Sequence, residues 1–144
     1  MLQLDSCLEI AKSAALLAGA YIKDQQNKDL EILLNEDRDI KLQIDVDAEK
    51  IIKDHLIAKS SFPILAEESG ASNDLNEFYW VVDPLDGTSN FLRNIPISCV
   101  SIALMKDIDP ILGVIFDFNN DDLYFAHHES KAYMNDSELS VSSI

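Results

Sequence analysis

The chain predicts an α+β fold in two layers, with two long N-terminal helices packed on a mainly antiparallel β-sheet. Two observations carry this. Up to Ser60, apolar residues recur at three- and four-residue steps, the spacing of a single buried helix face. From Phe62 onward the apolar runs are short and close together, with turn-forming residues between them, as in neighbouring antiparallel strands. The chain has 144 residues, with no internal repeat and no low-complexity tract. One domain over 1–144 is expected, large enough to bury a real core.

Leu4, Leu8, Ala11, Ala15, Ala18 and Ile22 mark the first helix, expected from about Leu2 to Asn27. Asp5 and Glu9 near its start and Lys23 near its end suit the helix dipole. Gly19 and the alanines predict close packing against another layer. The polar face is not basic, which argues against a membrane-surface helix, and the apolar run Ala14 to Ile22 is too short to span a bilayer. Glu31 to Leu34 reads as a short strand, Asn35 to Asp39 as a polar turn, and Lys41 to Ile44 as an alternating segment. Asp45 is then expected as the N-cap of a second helix, with Glu49 supporting the first turn. Ala48, Ile51, Ile52, Leu56 and Ile57 give that helix its buried face, and it ends near Ser60.

Phe62 to Ala66 reads as a short apolar strand and Gly70 to Glu77 as a polar loop. Trp80 to Val82 is a buried strand. Ile97 to Met105 and Ile111 to Phe118 are further strands, separated by a turn at Lys106 to Pro110. A hairpin loop at Asn119 to Asp122 leads to a returning strand, Leu123 to Ala126. Tyr133 and Leu139 to Val141 are expected as a last pair of short strands. His127 and His128 beside Glu129 have no further ligand set nearby, and read as a surface strand terminus.

The 26 Asp and Glu against 11 Lys and Arg give a net charge of −15. Nucleic acid is therefore a poor partner, because neutralising phosphates takes a basic face. A phosphorylated small molecule remains compatible when divalent cations bridge the two. Cys7 and Cys99 match no ligand spacing and are expected as buried, reduced thiols of a cytoplasmic protein. Met1 to Asp5 holds no basic run ahead of an apolar core, so no secretory signal is expected.

The stretch with the most chemistry in it is Trp80-Val81-Val82-Asp83-Pro84-Leu85-Asp86-Gly87-Thr88-Ser89-Asn90-Phe91. A buried strand runs into a tight acidic turn. Pro84 fixes φ and removes one donor, and Gly87 admits a close approach of ligand to backbone. The carboxylates suit a hard cation, while the hydroxyl, amide and N–H donors of Thr88 to Asn90 suit an anion. Glu67 and Glu68 follow the preceding apolar strand. Side chains alternate along a strand, so at most one of this pair is expected to face the site. Glu67, Asp83 and Asp86 with the Leu85 carbonyl form an all-oxygen donor set, which selects Mg²⁺ or Mn²⁺ over Zn²⁺.

Asp83-Pro-Leu-Asp-Gly-Thr-Ser-Asn-Phe91, with Glu67-Glu68-Ser69 upstream, closely resembles the signature of the inositol monophosphatase family of Mg²⁺-dependent, lithium-sensitive phosphatases. Relatives in that superfamily act on fructose-1,6-bisphosphate and on 3′-phosphoadenosine nucleotides. The resemblance runs from the first helix to Ser142. It implies a phosphomonoesterase acting on a small phosphorylated metabolite such as inositol monophosphate. It also implies that Glu67, Asp83 and the Leu85 carbonyl hold one ion, that Asp83 and Asp86 share a second, and that Asp45 and Thr88 prepare the attacking water. Asp86 and the amides of Gly87 and Thr88 would hold the phosphate, and Glu68 would orient its neighbours from behind. Asp45 thus has two expected duties, helix cap and catalytic group.

Several features depart from the pattern. Family members continue for about as many residues again, so the chain corresponds to the N-terminal half, with the C-terminal domain absent. A Trp-Asp segment of that second half, which completes the second ion site, has no counterpart here, since Trp80 is followed by Val. An upstream family Lys is replaced by Leu34, and family glycines by Glu129, Lys131 and Asp136, which predicts altered turns. A non-catalytic metal- or phosphate-binding remnant is the rival reading. The sheet face left open predicts a homodimer.

Overall fold

Helix α1 (Leu4–Gln25) buries Leu4, Leu8, Ala11, Ala15, Ala18 and Ile22, the stripe read from the sequence, together with Cys7, Ala14 and Gly19. The computed structural model describes residues 2–36 and 39–144, with the backbone alone over 34–36 and 39–40. Two short strands follow, β1 (Ile32–Glu36) and β2 (Asp39–Leu42), paired antiparallel. Positions 37 and 38 of the expected Asn35–Asp39 turn lie outside the described residues, as does the Leu34 side chain.

Helix α2 (Gln43–Lys59) begins three residues earlier than expected. Asp45 is its third residue rather than its N-cap. The helix follows straight on from β2, so Leu42 occupies the cap position in extended conformation. Leucine has no side-chain acceptor for the first turn. The Asp45 carboxylate instead reaches back and accepts the Leu42 amide at 2.7 Å, which is the reciprocal half of a capping box.

The remaining strands are β3 (Ile64–Ala66), β4 (Gly70–Ala71), β5 (Phe78–Asp86), β6 (Cys99–Lys106), β7 (Asp109–Asp117), β8 (Asp122–His127), β9 (Tyr133–Met134) and β10 (Ser137–Glu138), with the short helix α3 (Thr88–Leu92) after β5. They form one eight-stranded sheet in the order β10-β9-β8-β7-β6-β5-β3-β4. Every pair is antiparallel except β3 with β5. Two expectations need correction. The polar stretch after Ser69 contributes the edge strand β4. The partner of Tyr133 is Glu138 rather than Leu139 to Val141, because the chain reverses at Asn135-Asp136. Asn135 takes the positive φ of that turn, as Asp107 and Asp121 do in the turns after β6 and β7. Short side chains that bond locally tolerate this conformation.

Both helices lie on one face of the sheet. Val100, Ile102, Leu104, Val114 and Phe116 point at them and are buried. Gly19 is the close approach: a Cβ there would lie 2.3 Å from the Phe116 ring, so only glycine lets α1 settle this low. Tyr21 Oη donates to Asp47 at 2.9 Å and ties α1 to α2. His127 Nε2 meets Asp5 at 3.0 Å while its Nδ1 accepts the Glu129 amide. It therefore pins the start of α1 to the end of β8. Among the described residues, no helix is long and apolar enough to cross a membrane.

Candidate functional site

The single parallel pairing builds the site. β3 and β5 run in register, with Ala66 opposite Val82. The Glu67 amide continues the ladder by donating to the Val82 carbonyl at 3.1 Å. The next residues, Glu67 and Asp83, therefore emerge side by side at the carboxyl ends of two parallel strands, the usual place for a ligand in sheets containing such pairs. Antiparallel pairing would have placed them at opposite ends.

Their carboxyl groups lie in hydrogen-bond contact. Two carboxylates this close must share a proton or a cation. Burial and then the contact with Asp83 raise the Glu67 carboxyl well above the usual carboxylate range, with Glu68 and Asp45 adding to the rise. Asp83 is raised as well, first by burial and then, against the opposing contact with Glu67, by Asp86. Its Oδ1 is buried and has no hydrogen-bond partner. A buried acceptor left this way costs free energy; an ion would satisfy it.

Asp45 and Thr88 meet across the site. The Thr88 hydroxyl lies 3.0 Å from Asp45 Oδ1 and 3.1 Å from the Leu85 carbonyl. Asp45 is 1% exposed. Burial pushes its carboxyl up to about 6, despite the donations from Leu42 and Thr88. Gly87 stands at the N-cap of α3 with φ 90°. A Cβ there would lie 2.7 Å from the Ile97 carbonyl oxygen, so both conformation and space require glycine. Asp86 is exposed. With Gly87, Ile97, Ser98, Cys99 and Asp117 it walls an open cleft of about 470 Å³.

Two expectations change here. Glu67 and Glu68 do not alternate across a strand, because β3 stops at Ala66 and both lie in the following turn. The charge of Glu68 therefore reaches Asp45, Glu67 and Asp83. Cys99 is not a buried thiol in apolar surroundings. It is half-buried with Sγ 3.9 Å from Asp86, and burial together with Asp86, Asp83 and Asp117 pushes it up to about 11. Cys7 is buried and free, as expected.

Two residues were missed. Glu49 is 4% exposed, and its Oε1 accepts the amides of Glu68 at 2.8 Å and Ser69 at 3.4 Å. It thereby holds the turn that carries Glu67. The signal was present: Asp45, Glu49, Ile52 and Leu56 share one helical stripe, so this Glu falls on the buried face. Lys41 was read only as part of a strand pattern, yet its Nζ lies 2.5 Å from Glu68 Oε2.

Among the described residues, no three carboxylate, imidazole or thiol groups already converge as a closed ligand cage. The arrangement is a carboxylate pair, an exposed third carboxylate and the Leu85 carbonyl turned toward Thr88. The paired carboxyls and the orphaned Asp83 oxygen fit a hard divalent cation. Glu67, Asp83, Asp86 and the Leu85 carbonyl are the groups that could hold one, with further coordination from outside the protein.

Sequence and structure comparisons show what the chain as a whole resembles. The profile of the inositol monophosphatase family matches residues 3–143. The chain is 34% identical over 146 residues to a fructose-1,6-bisphosphatase/inositol-1-monophosphatase of Aquifex aeolicus, covering 98% of this chain and 54% of that protein. It is 39% identical over 145 residues to an inositol-1-monophosphatase of Synechocystis, covering 96% and 50%. The extragenic suppressor protein SuhB of Bartonella henselae superposes with a TM-score of 0.89 at 35% identity, over 96% of this chain and 55% of that one. The inositol monophosphatase of Anabaena superposes with a TM-score of 0.84 at 33% identity, over 98% and 51%. The chain thus spans about half the length of the curated relatives it matches. On this profile, these identities and the shared fold, the chain belongs to the inositol monophosphatase family.

Proposed function

We propose that this chain carries the cation and water-activating half of a Mg²⁺-dependent phosphomonoesterase site for a small phosphorylated metabolite of the inositol monophosphate type. The observation that supports it most is the Thr88–Asp45 hydrogen bond set beside the Glu67–Asp83 pair. When bound, Mg²⁺ (or Mn²⁺) would neutralise the ester's charge and stabilise the leaving oxygen. The chain's own residues do the rest. Glu67, Asp83, Asp86 and the Leu85 carbonyl gather the cations. Thr88 donates its hydroxyl proton to Asp45, which leaves its lone pairs free to accept a proton from the attacking water. Asp45 is itself held in place by the Leu42 amide. The Gly87 and Thr88 amides, at the start of α3, are without intrahelical acceptors and would hold the phosphate oxygens. Glu49 and Glu68 hold the Glu67 turn in place.

The net charge of −15 argues against nucleic acid as a partner. The free thiols of Cys7 and Cys99 support a reducing, cytoplasmic setting. The sheet face turned away from the helices bears Ala103, Gly113, Ile115, Tyr124, Ala126 and Leu139 around an apolar groove. It is the surface through which we propose a homodimer; light scattering across a concentration series tests it, and a monomer throughout rejects it.

The deciding assay is phosphate release from inositol-1-phosphate, fructose-1,6-bisphosphate and 3′-phosphoadenosine esters with Mg²⁺, compared with Asp83→Asn. Mg²⁺-dependent release abolished by the substitution supports the reading. Absence of release from every ester, with Mg²⁺ still bound, favours a non-catalytic cation- and phosphate-binding role instead.

A further inference from the structure

We infer that Lys41 is a resident counter-cation of the carboxylate cluster: its ammonium group, seated on Glu68, offsets part of the negative potential that draws divalent ions and so restrains their uptake. The inference rests on the ion site proposed above and concerns how strongly that site takes its cation.

Among the described residues, this is the lysine–carboxylate pair with both side chains mostly covered. Lys41 and Glu68 are 32% and 13% exposed, against 74% and 64% for Lys50–Asp54, 56% and 70% for Lys28–Asp24, and 21% and 68% for Lys12–Glu9. Solvent therefore screens it less. It also borders the cluster. Lys41 is the next-to-last residue of β2, two positions before α2, and feels the charges of Glu49 and Asp45 as well as Glu68. Glu68 in turn acts on Glu67 and Asp83, the carboxyls that would hold the ion. The nearby Lys53 bonds the Ser69 hydroxyl at 2.9 Å and touches no cluster carboxylate. Coulomb energy falls only as the inverse of distance and doubles for a divalent ion. A fixed ammonium seated on Glu68, the residue next to Glu67, therefore opposes each incoming cation without contacting it.

The sign separates this from an ordinary clamp. If Lys41 only fastened the Glu68 turn, its removal would loosen the ligands and weaken cation binding. If it is a counter-charge, removal tightens binding. The test is calorimetric Mg²⁺ titration of the whole chain at low ionic strength, with Lys41→Met, Lys41→Gln and Lys41→Arg beside the parent, each checked for folding by circular dichroism. Expected are roughly three- to tenfold tighter Mg²⁺ binding for the two neutral variants, parent-like binding for Lys41→Arg, and a difference that shrinks as salt is added. Two neutral variants guard against one failing to fold. Unchanged or weaker binding in a folded neutral variant, with the parent binding normally, overturns this inference alone. A parent chain that takes up no Mg²⁺ overturns the ion site and this inference together.

Discussion

The two ends of β5 are built on opposite terms. At the Phe78 end every group finds a partner. The Phe62 and Phe78 rings lie 5.7 Å apart, Tyr79 Oη donates to the Asp107 carbonyl at 2.8 Å, and the fully buried Trp80 donates its indole N–H to Ser60 at 3.0 Å. At the Asp83 end, five residues on, like charges crowd together and a buried oxygen has no partner. One end of the strand stabilises the fold. The other is left unsatisfied until something cationic arrives, and the first makes the second tolerable.

The strongest way to break this contrast is Trp80→Ala. It empties the largest fully buried side chain and strands the Ser60 hydroxyl, and should lower stability by about 3–5 kcal/mol in urea unfolding. Next is Thr88→Val at the opposite end. It should leave unfolding nearly unchanged while lowering kcat about 10²-fold, because the proposed Asp45–water relay would lose its middle member. Gly87→Ala lies between the two. Its positive φ and the contact with the Ile97 carbonyl should cost about 1–3 kcal/mol, together with weaker phosphate binding by product-inhibition assay.

A pH series sharpens the comparison further. Carboxyls whose folded pKa is raised hold protons that the unfolded chain releases. Their contribution is complete below the ordinary carboxylate range. It is lost as pH rises through about 6 for Asp45 and continues to fall at higher pH for Glu67. The Tm of metal-free protein should therefore drop by a few degrees between mildly acidic and mildly alkaline pH, and Mg²⁺ should restore most at the alkaline end. A metal-free Tm that rises over this range would contradict the crowded-carboxyl account. The smallest effect belongs to the exposed Lys106–Glu77 pair beside Phe78: Glu77→Gln should change stability by less than about 0.5 kcal/mol.

Much of this molecule was legible before folding. The buried stripe of α1 follows from spacing alone, and the Asp83 to Phe91 motif pointed to the family. What failed did so for local physical reasons. Asp45 was expected as a cap because its residue type suits one. The direct passage from β2 into α2 instead moved the cap to Leu42. Glu67 and Glu68 were assigned opposite faces by strand alternation, which ceases where β3 ends. Cys99 was placed among apolar neighbours by its sequence context, yet the register of β5 with β6 sets it opposite Asp86.

The amino-acid order determined which groups are present: carboxylate and carbonyl oxygen donors, a hydroxyl, and a glycine where a Cβ has no room. Only the tertiary structure decided which donors meet. One parallel pairing in an otherwise antiparallel sheet brings Glu67 beside Asp83, and the start of α2 brings Asp45 to Thr88 across 43 positions of chain. Strand direction and helix placement are set by the burial of apolar faces far from these residues. Their own identities carry no record of it.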